Sequence, residues 1–313
     1  MRYQQLMRLV LKAMVAIFAL TPSLWACPFC SPTDSDLYTI LASSKAVAKA
    51  VRVGPNKFKL VQVLSGKAQV GRIVLAKEPQ ESVGAETVLL LSTVSNPAQP
   101  YWSEPVRALD PREFSFFKTL LAAKSQAARQ DLAATHFLDR SELVSDAAYN
   151  ILALAPLEAV QSRADKAGVK NLVAAALDER VEEDRKSLVY LMLFPHVTKQ
   201  DSSWLRDRIL KPRPNPQAVF LPALMAAYAE AAGPSSVSEM AQIFLTKTTT
   251  ISNSFQPVSG FKFIATQATM PETRDAAKRV VRGELSNPQR GVFVIEPLAQ
   301  WRDYSVAGEV EQS

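Results

Sequence analysis

Cys27 and Cys30 are the only two cysteines of the 313-residue chain, three positions apart in Cys27-Pro28-Phe29-Cys30. Two thiols at that spacing support four kinds of chemistry. In an oxidising compartment they close on each other as a local disulfide. With the first thiol activated, they exchange disulfides with a substrate. As thiolates they form half of a soft-metal site for zinc or copper, and a free α-amine on Cys27 would add a third ligand. Finally, Leu24-Trp25-Ala26 gives Cys27 the setting of a lipid-modified cysteine, which would consume its thiol and leave Cys30 alone. A structural disulfide leads, because no other cysteine competes for either sulfur, and the βαβ context of a thioredoxin-type motif is missing. The other three readings stay open.

The rest of the chain offers little conventional chemistry. His136 and His196 are the only histidines, which excludes a His-rich metal site; each reads as a partly exposed helix-end residue without a nucleophile motif nearby. Gly66-Lys67-Ala68-Gln69-Val70-Gly71-Arg72 lacks the Gly-Lys-Ser/Thr ending of a phosphate loop and reads as a hairpin connection. Glu182-Glu183-Asp184-Arg185-Lys186 places acids in a helical first turn and reads as a solvated face. Lys211-Pro212-Arg213-Pro214-Asn215-Pro216 is a stiff cationic loop, a rigid connection whose Lys211 and Arg213 are candidates for docking a partner. Gly-x-Ser-x-Gly, His-Glu-x-x-His and dinucleotide fingerprints are absent from the sequence. An enzyme is therefore not the expected class.

Residues 1–26 have the layout of an export leader: Arg2, Arg8 and Lys12 precede an apolar stretch, Ala13 to Leu20, and Thr21-Pro22-Ser23 breaks it before Leu24-Trp25-Ala26. The stretch is short for a membrane span, which needs about 20 apolar residues. Cleavage after Ala26 would make Cys27 the first residue of a periplasmic or secreted protein; acylation at Cys27 would instead anchor it to the envelope. Losing the leader takes the basic count from 36 to 33 against 30 acids, so the net charge falls from +6 to +3. That balance gives no support to a nucleic-acid partner. It leaves an unidentified protein partner, with a membrane involved only through a lipid on Cys27.

The elements that would position the cysteines fall into two parts. Ahead of residue 110, a short helix from Asp36 to Ser44 is followed by strand-like segments at Ala46–Val53, Phe58–Leu64, Arg72–Ala76 and Thr87–Val94, with Val106–Leu109 as a fifth. Gly54-Pro55-Asn56 and Ser65-Gly66-Lys67 mark turns between them. Five strands in about 65 residues suit a small closed OB-like barrel. From Pro111-Arg112-Glu113 onward the period is helical. Tyr149, Tyr190 and Tyr228 recur at spacings of 41 and 38, near the period of HEAT-type helical hairpins. The expected fold is thus α+β in two domains, a five-stranded OB-like barrel (27–109) and an all-α, HEAT-like repeat domain (110–313).

The start Cys27-Pro28-Phe29-Cys30-Ser31, the Ala46–Val51 strand, the Val61–Lys67 segment and the helical half resemble a family of uncharacterised bacterial exported proteins. The amino-terminal module of that family is itself similar to the netrin-like OB-fold of tissue inhibitors of metalloproteinases, where an amino-terminal cysteine approaches a catalytic zinc. This chain departs from the inhibitors, which begin Cys-x-Cys with both cysteines tied to distant ones; here no third cysteine exists. Protease inhibition is accordingly not carried over. The expected function is a non-catalytic exported binding or scaffold protein, with thiol–disulfide exchange or soft-metal binding at Cys27 and Cys30 as the alternative.

Overall fold

Strand chemistry ahead of residue 87 follows the turn signals closely. The computed structural model describes residues 27–32, 37–76, 87–91, 108–211 and 213–303. After a short helix α1 (Leu37–Ser43), strand β1 (Ala46–Gly54) turns through Pro55-Asn56 into β2 (Lys57–Gly66), then β3 (Ile73–Leu75) and β4 (Thr87–Leu91) follow. Asn56 takes a positive φ of 52° in that turn, a conformation asparagine tolerates better than most residues. Gly66 ends β2 at φ +74°, where an added Cβ would lie 1.8 Å from the Lys45 carbonyl oxygen, so only glycine fits. In β2, Phe58 and Leu60 are buried whereas Lys59 and Val61 are exposed, the alternation of a half-covered strand.

The closed five-stranded barrel is not formed. The strands make an open antiparallel sheet of order β3-β2-β1-β4, with β3 and β4 on opposite edges. Ala108 and Leu109 are irregular, and residues 106 and 107, like residues 1–26 where an export leader is expected, lie outside the described residues. The physical reason is coverage. One sheet face buries Ala46, Ala48, Ala50, Phe58, Leu60 and Val74 in a small core of its own. The opposite face sends Val47 into the main core, and Lys49 lies with its Nζ 5.0 Å from the Phe114 ring centroid. A sheet with helices of its own chain packed on one face buries that face without closing on itself.

The remainder is helical: α2 (Pro111–Ala122), α3 (Gln126–His136), α4 (Glu142–Ala153), α5 (Leu157–Gln161), α6 (Ala164–Ala167), α7 (Val169–Leu177), α8 (Glu183–Leu193), α9 (Ser202–Leu210), α10 (Leu221–Ala232), α11 (Pro234–Phe244), α12 (Ile251–Gln267), α13 (Pro271–Gly283) and α14 (Val292–Gln300). Asp110 starts α2 with a full capping box. Its carboxylate accepts the Arg112 and Glu113 amides at 2.7 and 2.8 Å, and Glu113 accepts the Asp110 amide at 3.0 Å. Helices α4, α8, α10 and α12 pack in that series, with α3, α7 and α9 laid against α4, α8 and α10. The series helices are apolar on nearly all sides, as in Leu188–Leu193 and Leu221–Ala229, which is what a central position requires. Tyr149, Tyr190 and Tyr228 sit on α4, α8 and α10, and all three are buried.

The division near residue 110 does not separate the cores. The main core runs from Cys27 through Leu37, Leu41, Val47 and Leu109 to Leu298. The cysteine segment and α1 therefore share one core with the helical body, α1 also resting against β4.

Candidate functional site

Cys27 and Cys30 form a disulfide, with Cα atoms 5.3 Å apart. The four residues make a turn, closed by the Cys30 amide donating to the Cys27 carbonyl at 3.3 Å. Three contacts hold this turn on the helical body. The Cys27 amide donates to the carbonyl of Ala153, the last residue of α4, at 3.1 Å. The Ser31 amide donates to the Tyr149 hydroxyl at 3.2 Å. The Phe29 ring meets Phe263 of α12 edge-on at 5.2 Å, and Phe263 meets Phe194, just past α8, at 5.7 Å. One turn thus touches α4 and α12 and reaches α8 through a shared aromatic row.

Burial decides which sulfur chemistry this geometry favours. Cys27 is 6% exposed and Cys30 half-buried. The backbone of Cys27 is docked on the carboxyl end of α4, where a helix carries about half a negative charge. A thiolate there is disfavoured twice, by desolvation and by the dipole, the reverse of reactive pairs at helix amino termini. The bonded Cys27 sulfur is also unavailable for a thioether to lipid. As a disulfide, the pair presents no thiolate to zinc or copper. Among the described residues, no three His, Cys, Asp or Glu side chains are grouped to hold a metal ion, and no helix is long and apolar enough to cross a membrane.

No family model, curated protein or solved structure matches this chain. Its chemistry is read from the side chains themselves.

The Tyr149 ring continues the contact inward. Burial pushes its phenol up to about 12. The Arg185 guanidinium lies 6.0 Å over that ring and bonds Asp146 and Ser145 on α4. The acidic–basic run at 182–186 is thus only partly a solvated face, since Arg185 turns inward and Lys186 is 6% exposed. Burial, reinforced by nearby Arg208, pushes the Lys186 ammonium below its ordinary value, and its Nζ lies 5.8 Å from the Phe220 ring centroid. Helical spacing alone did not reveal this, because both residues sit one turn before the apolar Leu188–Leu193 run and share its inward face.

A second feature was not visible in the sequence. A groove of about 620 Å³ opens between α3 and α7, floored by Ala134, Ala167 and Ala175. Arg112, Asp139, Arg140 and Asp178 also line it. Both carboxylates are saturated. Asp139 accepts from Arg112 at 3.2 Å, from the Ser141 amide at 3.0 Å and pairs with His136 Nδ1 at 3.2 Å. Burial pulls Asp139 upward, but those partners outweigh it and hold it below its ordinary value. Asp178 is held down to about 2 by the Arg180 side chain and amide. His136 closes α3, partly exposed, with Phe116 edge-on at 5.1 Å.

The cationic loop is anchored rather than free. Lys211 caps α9 and is exposed; Arg213 is exposed too, but its guanidinium lies 5.8 Å from the Phe244 ring centroid. Asn215 turns the chain by accepting the Gln217 amide at 3.0 Å. Position 212 is outside the described residues. The structure brings neither Lys211 nor Arg213 to the cysteine turn or the groove.

Proposed function

We propose that the chain is an exported, non-catalytic binding protein in which the Cys27–Cys30 disulfide clips the start of the folded chain onto its helical body. The observation that carries this reading is the seating of Cys27, buried and bonded through its amide to the end of α4. Export with cleavage after Ala26 into a periplasmic or extracellular space fits a stable disulfide. A lipid anchor needs the sulfur that the bond occupies, and zinc or copper would require the pair to be reduced first. The partner is a protein, met by a rigid helical surface, with Lys211 and Arg213 a subsidiary docking point.

One observation favours a second reading. Cys30 is half-buried, so its sulfur is the one an incoming thiolate would meet. Attack would form a mixed disulfide at Cys30 and expel the Cys27 thiolate, and a second thiol of the reductant would complete the exchange. Reduction of insulin by a dithiol separates the two. The expected rate equals the protein-free rate; acceleration that disappears in Cys27→Ala/Cys30→Ala establishes exchange and overturns the structural reading.

A further inference from the structure

The geometry points to the groove between α3 and α7 as the binding site for a short, extended, acidic peptide segment, an assignment that rests on reading the chain as a binding protein. Its size suits such a ligand. About 620 Å³ lies within the ~300–1,000 Å³ of ligand clefts. Along α7, Val169–Leu177, the groove follows nine helical residues, about 13 Å at ~1.5 Å per residue, room for roughly four extended residues at ~3.3 Å each. The alanine floor lets a chain lie close to both helices. Asn171 donates its Nδ2 to the Ala167 carbonyl at 3.2 Å, which leaves its Oδ1 to accept a peptide N–H.

Charge selects the sign of the ligand. Asp139 and Asp178 are each committed to an arginine, Arg112 and Arg180. Among the described residues Arg140 is exposed and makes no ion pair, and the Arg112 side chain is 73% exposed and pairs with Asp139. With Arg112 balancing Asp139 and Arg180 balancing Asp178, the charge left over in the groove is the Arg140 guanidinium, a group that grips carboxylates through paired hydrogen bonds. A chain carrying Glu or Asp side chains among small residues matches both Arg140 and the alanine floor.

The test uses the full chain and a fluorescein-labelled pentapeptide of alternating glutamate and alanine, with a lysine–alanine pentapeptide as its counterpart. Anisotropy should show salt-sensitive binding of the acidic peptide at least tenfold tighter than the basic one. Arg140→Glu, on an exposed and unpaired side chain, and Ala174→Phe, which fills the groove, should each weaken it at least tenfold. Amide NMR shifts should centre on α3 and α7. Equal binding of both peptides, unchanged affinity in both variants, shifts centred elsewhere, or no binding at millimolar peptide would each overturn the assignment. So would peptide-free, concentration-dependent broadening at the groove, which would make a second copy its occupant. The non-catalytic reading is decided separately by the insulin assay, so either can fail alone.

Discussion

Replacing both cysteines by alanine, Cys27→Ala/Cys30→Ala, isolates what the disulfide adds. Alanine keeps the main-chain nitrogen of position 27, which donates to Ala153 as an amide or, after cleavage, as the terminal amine, so the bond at 3.1 Å survives, as does the Phe29–Phe263 contact at 5.2 Å. What is lost is the cross-link. Closing a loop of about four residues removes roughly 6 cal/mol/K from the unfolded chain, or about 2 kcal/mol at 25 °C. For a chain of this size, at ~2.1 cal/mol/K of unfolding entropy per residue, the melting point should fall by about 3 °C. Urea unfolding followed by far-ultraviolet circular dichroism should show a lower midpoint with an unchanged slope. The wild type under reductant should reproduce the variant's curve. A loss above about 5 kcal/mol, or collapse of the helical signal, would mean the bond organises the helices rather than clipping a turn onto them. A loss near zero would mean the turn is not docked.

Further consequences concern the core and its charges. Tyr190 is fully buried and donates to the Ala176 carbonyl at 3.2 Å; Tyr190→Ala should cost about 3–5 kcal/mol and Tyr190→Phe about 1 kcal/mol, read by the same urea midpoints. Arg290 is buried against Glu284 and also donates to the Thr246 and Thr249 carbonyls at 3.1 and 3.0 Å. Glu284→Ala should therefore cost about 3–5 kcal/mol by stranding the guanidinium, and Glu284→Leu/Arg290→Met should recover most of it; a double variant as unstable as the single would contradict this. Tyr149 and Tyr228 are pushed up to about 12, by burial in both cases and also by Glu239 for Tyr228. Their neutral forms favour the folded state, so this contribution is complete below pH 10 and lost as pH rises through about 12. Phenolate absorbance should lag the unfolded chain across that window, and two tyrosines titrating near 10 would refute it.

What could be read from the residues was local. Asp110-Pro111-Arg112-Glu113 carries its own capping box, and Phe58 and Leu60 alternate with Lys59 and Val61, so helix start and strand faces were legible. Barrel closure was not, because it depends on which edges meet; β3 has only three residues and pairs with β2 alone, while β1 takes the centre. The seating of Cys27 was equally hidden. Its partners Ala153 and Tyr149 lie on a helix over a hundred positions away, and the Ser31–Tyr149 bond spans 118 residues. The groove joins Arg112, Arg140 and Asp178 from three separate segments, none of which carries a binding motif.

The central claim is that Cys27 begins the folded protein as a buried, disulfide-bonded residue. Intact mass of the protein purified from its native envelope, alkylated with and without denaturation and reduction, tests it most directly. The expected chain starts at Cys27, is lighter than the dithiol by two hydrogens, and takes up no alkylating label until it is reduced. A diacylglyceryl adduct on Cys27, or two thiols labelled in the folded protein without reductant, would contradict the claim.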